Sequence, residues 1–107
     1  MSWLYLGAAI ALEVIATSAL KMSDGLTKPW PVAVVVLGYV AAFALLAQAL
    51  RTMEVGIAYA VWSAAGTAAI AAIGVLVFGE TLSAMKVLGV VLIVAGVVSL
   101  HVAGGPA

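Results

Sequence analysis

The sequence predicts an all-α integral membrane protein with four transmembrane helices per chain. Composition is the first observation behind this. Of its 107 residues 67% are hydrophobic and only 7% charged, and mean hydropathy is +1.36. Soluble domains carry about 25% charged residues, so this chain lacks the polar surface to fold in water alone. The second observation is four apolar stretches, at 3–21, 32–50, 56–78 and 87–103. Each fits the range of roughly 17–25 residues that spans a hydrocarbon core of about 30 Å. The third is where the charges fall. Apart from Lys21 at a stretch boundary, Glu13 is the one formal charge inside the stretches. Backbone in lipid must satisfy its polar groups within a helix or a closed barrel, and the stretches lack the alternation of barrel strands. Pro29, Pro31 and Pro106 all fall outside them, as helix breakers should. The expected organisation is one four-helix transmembrane domain over 1–107.

The first stretch has no basic leader segment and a long apolar run, so it reads as a retained span, not a cleaved signal. Trp3, Tyr5 and Trp30 lie at or just beyond helix ends and suit the headgroup belt. The connections are short, which makes consecutive helices antiparallel neighbours with both termini on one side. Arg51 and the terminal amine then share one side, against Lys21, Lys28 and Lys86 on the other. So slight an asymmetry leaves both a single and a dual insertion open. The formal net charge is zero and the basic residues are dispersed, so no field attracts nucleic acid. Without cysteine there is no disulfide or thiolate site. No Ser/His/Asp grouping, nucleotide loop or metal cluster is evident, so neither an enzyme nor a bound cofactor is expected.

Glu13 lies ten residues beyond Trp3, about 15 Å along a helix and therefore near the bilayer midplane. A charge at that depth costs at least ~2.5–3.5 kcal/mol and faces a partner or an aqueous cavity. Leu6, Ala9, Ile10, Ala16, Thr17 and Leu20 share its helical face at spacings of three, four or seven. Ala9, Ala16 and Thr17 are small and leave room around the carboxylate for another helix or for a ligand. No basic residue lies at membrane depth, so the expected partners are a proton, an external cation or hydroxyls.

Aromatic residues form a second constellation. Tyr39 and Phe43 share a face of the second helix, and Tyr59, Trp62, Ser63 and Gly66 share a stripe of the third. Aromatic faces attract cations, quaternary ammonium groups included. An acidic midplane residue with Tyr and Trp is a plausible socket for a lipophilic cation. On the fourth helix Gly89 and Gly96 are seven apart, and small residues on one face permit close helix approach. An oligomer contact is the favoured reading there. His101, near the membrane exit, reads as an interfacial residue.

In order and at these spacings, W-L-Y-L-G-A-A-I-A-L-E-V-I-A-T-S-A-L-K, S-D-G-L-T-K-P-W-P, G-I-A-Y-A-V-W-S-A-A-G and G-V-V-L-I-V-A-G-V resemble the small multidrug resistance family. The resemblance runs essentially end to end. It implies a proton-coupled antiporter in the bacterial inner membrane, an antiparallel homodimer exporting quaternary ammonium and other lipophilic cations by alternating access. It further implies that protons and substrate compete for paired Glu13 carboxylates. Tyr39, Tyr59 and Trp62 would line the substrate chamber, with Leu6, Ile10 and Thr17 matching family positions beside the carboxylate. Ser63 and Phe43 would join that lining, and Gly89 and Gly96 would support the dimer contact. Ala16 followed by Thr17 resembles the quaternary-ammonium branch, since the guanidinium branch places Trp at the position of Ala16. Ala64-Ala65-Gly66 stands where many relatives have Gly-x-Gly, leaving Gly66 as the residue that would allow a helix-three kink.

Three alternatives remain open at the level of sequence. The chain could export guanidinium or a polyamine, or form half of a heterodimer. From a different class, it could be a non-transporting, proton-binding membrane subunit.

Overall fold

Helix-end chemistry sets the four boundaries in the computed structural model, which describes residues 1–104. The helices are α1 (Ser2–Met22), α2 (Pro29–Ala49), α3 (Val55–Leu76) and α4 (Ala84–Gly104). All four are long and apolar enough to cross a membrane, and the described residues contain no strand. By length and composition the chain is a multi-pass membrane protein. Its helices form two compact units, the first from Met1 to Arg51 and the second from Thr52 onward.

Two boundaries depart from the sequence reading. Pro29 and Pro31 lie inside the first turn of α2, not before it. The first N–H groups of a helix have no intrahelical acceptor, so proline forfeits nothing there and its fixed φ favours the turn. Lys28 precedes them with extended backbone (φ −99°, ψ 123°), as the residue before a proline prefers. Likewise α4 begins at Ala84, which places Lys86 in its first turn. The Ser83 hydroxyl accepts the Lys86 backbone N–H at 3.2 Å and starts that helix early. Pro106 lies outside the described residues.

In the first unit the seam is built from small residues. Leu6, Ala9, Ala16 and Ala19 form the buried stripe of α1, and Pro31, Val35, Gly38, Ala42 and Ala49 that of α2. The spacing alternates between three, four and seven, which keeps one face of each helix on its partner. The helices approach tightly at Gly38. A Cβ there would lie 2.8 Å from Ala16 Cβ and 3.4 Å from the Leu12 carbonyl oxygen. Lipid offers no hydrophobic drive for helices to associate, so close backbone approach and the dispersion contacts it allows hold such a pair.

The α1–α2 turn is fixed by Ser23, which is fully buried. Its hydroxyl donates to the Leu20 carbonyl at 2.6 Å and accepts the Leu26 N–H at 2.9 Å. Its carbonyl accepts the N–H groups of Thr27 and Lys28. These bonds hold Asp24, Gly25 and Leu26 in left-handed backbone, with φ of 50°, 72° and 70°. Glycine adopts that region freely, whereas leucine is strained there.

The second unit pairs α3 with α4. Past the end of α3, Gly79 takes φ 68° and the Glu80 N–H returns to the Gly74 carbonyl at 2.9 Å. The Glu80 carboxylate lies over Gly74, where any Cβ would collide with it. No described residue of α4 is classed as buried, and added Cβ atoms at Gly89 and Gly96 would meet nothing within 4 Å. Both glycines therefore present an open face.

Candidate functional site

Glu13 occupies the gap in the α1 stripe, four residues after Ala9 and three before Ala16. The helical register thus carries it onto the seam with α2, where it is half-buried. Its two carboxylate oxygens have different surroundings. Oε1 accepts a hydrogen bond from the Thr17 hydroxyl at 2.9 Å, a pairing one helical turn long. Oε2 is buried and has no hydrogen-bond partner among the described residues. A buried carboxylate oxygen without a donor is costly, which makes it the place where a proton or a cation would be most stabilising.

Thr17 also meets Tyr39 from α2, with 2.6 Å between the hydroxyl oxygens. The residues forming this bond each follow a member of the Ala16–Gly38 contact. Close approach at Gly38 is therefore what brings Tyr39 within reach of α1. A threonine hydroxyl has one proton and two lone pairs. With that proton given to Glu13, Thr17 receives the proton of Tyr39, and the chain runs Tyr39 to Thr17 to Glu13. The Tyr39 ring continues to Phe43, with centroids 6.5 Å apart and planes tilted by 37°.

Ile10 is half-buried on α1, one turn before Val14, whereas Leu6 is only 1% exposed and is packed into the fold. Phe43 is exposed on α2. In the second unit Tyr59 and Ser63 are exposed, Trp62 is half-buried and Gly66 is buried. They share a stripe of α3, which runs as uninterrupted α-helix through Gly66. The structure thus joins Glu13, Thr17, Tyr39 and Phe43 by direct contacts, and places the Tyr59–Trp62–Ser63 stripe on the other unit. A cavity of about 430 Å³ between α3 and α4, bordered by Val75, Glu80, Lys86 and Val91, contains none of the candidates.

The room left by the small residues of α1 is taken by another helix: Ala9 and Ala16 are fully buried, and Gly38 of α2 lies against Ala16. Ala16 is small because Gly38 approaches it. Gly38 itself was not singled out by sequence. The available signal was the pair Gly38 and Ala42, four apart, a small-xxx-small pattern of helix contact.

Similarity to known proteins accords with this layout. A family model described as Small Multidrug Resistance protein matches residues 1–93. The chain is 52% identical over 105 residues to the multidrug resistance protein Mmr of Mycobacterium tuberculosis H37Rv, covering 97% of this chain and 98% of that protein. It is 47% identical over 98 residues to the multidrug resistance protein EbrB of Bacillus subtilis 168, covering 92% and 84% respectively. Identity is 52% over 99 residues to the quaternary ammonium compound-resistance protein QacE of Escherichia coli, covering 92% and 90%. With four spans, a mid-helix carboxylate on α1 and near-complete coverage of these relatives, the chain belongs to the small multidrug resistance family.

Proposed function

We propose that the chain exports lipophilic and aromatic cations, quaternary ammonium compounds among them, in exchange for protons. The observation that carries this reading is Glu13 Oε2, a buried acceptor without a donor at mid-helix. Such an oxygen binds a proton or a cation, and the two are mutually exclusive there. Relatives named for multidrug and quaternary ammonium resistance support the substrate class. Aromatic side chains supply the apolar, π-rich walls that such cations prefer. On this reading Leu6, Ile10, Tyr39 and Phe43 of the first unit and Tyr59, Trp62 and Ser63 of the second are the candidate wall residues.

A second copy of the chain completes the transporter in this proposal, giving paired Glu13 carboxylates. The unburied α4, with Gly89 and Gly96 open on one face, suits a helix-to-helix contact with that copy. Gly66 gives α3 a point at which to bend during alternating access.

Reconstitution of the chain alone tests this. Proteoliposomes with an acidic interior are expected to accumulate tetraphenylphosphonium as protons leave, and to leave guanidinium outside. Raising external acidity to match the interior abolishes the uptake. Guanidinium uptake without tetraphenylphosphonium uptake would overturn the substrate class. Inactivity towards both would overturn self-sufficient export, in favour of an obligate partner or a non-transporting subunit.

A further inference from the structure

From the Tyr39–Thr17–Glu13 chain we infer that Thr17 is a positioning residue which distinguishes the two oxygens of Glu13, reserving Oε2 for exchange. This rests on the proton-exchange reading of Glu13 given above. Thr17 and Tyr39 thereby act on the carboxylate, a role separate from lining a substrate chamber.

The geometry sets the direction of the two protons. Thr17 donates to Oε1 at 2.9 Å, so its remaining lone pairs face Tyr39 at 2.6 Å, and Tyr39 donates. Two hydroxyl dipoles then point in series at one carboxylate oxygen. Hydrogen bonds to an ionised acceptor are about twice as strong as neutral ones, and a chain polarises each member. The arrangement holds Oε1 occupied, while Oε2 keeps its lone pairs for a proton or an arriving cation. Within this unit Tyr39 is the titratable group that α2 presents to Glu13, and α2 carries no charged residue. The other charge on α1, Lys21, is exposed about two turns further on.

Two features show that the arrangement is built, not incidental. Threonine in a helix commonly bonds the carbonyl four residues back, as Ser18 does here to Val14; Thr17 instead reaches the carboxylate four residues back. The Tyr39 hydroxyl reaches Thr17 only because Gly38 lets the helices approach. A Cβ at that position would push them apart.

The test is tetraphenylphosphonium binding to the purified full-length protein, followed from alkaline to acid pH. In the wild type, binding weakens as pH falls. Thr17→Val keeps the shape and removes the hydroxyl, so the ionised carboxylate loses a donor and protons compete better. The pH at half-binding is expected to rise by about one unit, on the order of a ten-fold gain in proton competition. Thr17→Ser restores the hydroxyl and the wild-type profile. Tyr39→Phe moves the profile the same way by less, and adds nothing in a Thr17→Val background, because the chain is already broken. A Thr17→Val profile that superimposes on a pH-dependent wild type would overturn the positioning role while leaving proton exchange intact. A wild type whose binding ignores pH would instead overturn the exchange reading itself. A loss in Thr17→Ser as large as that in Thr17→Val would show that the hydroxyl alone does not restore the profile and would also overturn the inference.

Discussion

Glu13→Gln is expected to reduce proton-driven tetraphenylphosphonium uptake to the level of protein-free liposomes while leaving the helices folded. Glutamine matches glutamate in size and can still accept the Thr17 hydroxyl on its amide oxygen, so the α1–α2 seam keeps its packing. It can neither release a proton nor offer negative charge to a cation. Circular dichroism and gel filtration in detergent should match the wild type, which separates loss of exchange from loss of fold. Retained, gradient-dependent uptake by Glu13→Gln would remove the carboxylate from the mechanism. No other acidic side chain substitutes in this account, because Asp24, Glu54 and Glu80 all lie outside the helices.

The second large effect is on stability. Gly38→Ala inserts a Cβ 2.8 Å from Ala16 Cβ, well inside ordinary carbon–carbon contact. The α1–α2 seam must open or shift, an overpacking cost of about 1–3 kcal/mol. Gly7→Ala is the matched control, since its Cβ would meet nothing within 4 Å. Thermal unfolding in detergent should show Gly38→Ala melting below both the wild type and Gly7→Ala. Ala16→Gly in the same molecule removes the clashing carbon and is expected to recover much of the loss. Gly38→Ala should also move the pH profile of binding in the manner of Tyr39→Phe, because the widened seam withdraws Tyr39 from Thr17. Wild-type stability in Gly38→Ala would contradict the close approach on which the site geometry depends.

Much of the fold was legible because lipid imposes simple rules on sequence. Length, apolarity and the exclusion of charge mark four spans without any knowledge of packing. The pairing of Glu13 with Thr17 was equally accessible, since residues four apart share a helical face. What escaped was everything that depends on two helices meeting. Tyr39 and Thr17 are 22 residues apart, and nothing local records that their hydroxyls touch. Ala16 illustrates the same gap: its size is visible in the sequence, but whether a small residue makes room for a ligand or for another helix is decided by Gly38. The start of α2 was misplaced because proline was read as a breaker, although in the first turn it is a favoured residue. The aromatic stripe at Tyr59, Trp62 and Ser63 was legible as a stripe and nothing more, for spacing alone carries no account of what the stripe faces.

In the proposed exchange one carboxylate holds either a proton or a cation, never both. Proton release on substrate binding measures this most directly. Wild-type protein in weakly buffered detergent solution, taken through a series of pH values, should release protons when saturated with tetraphenylphosphonium, and Glu13→Gln should release none. Saturable tetraphenylphosphonium binding by the wild type without proton release at any pH would contradict the account.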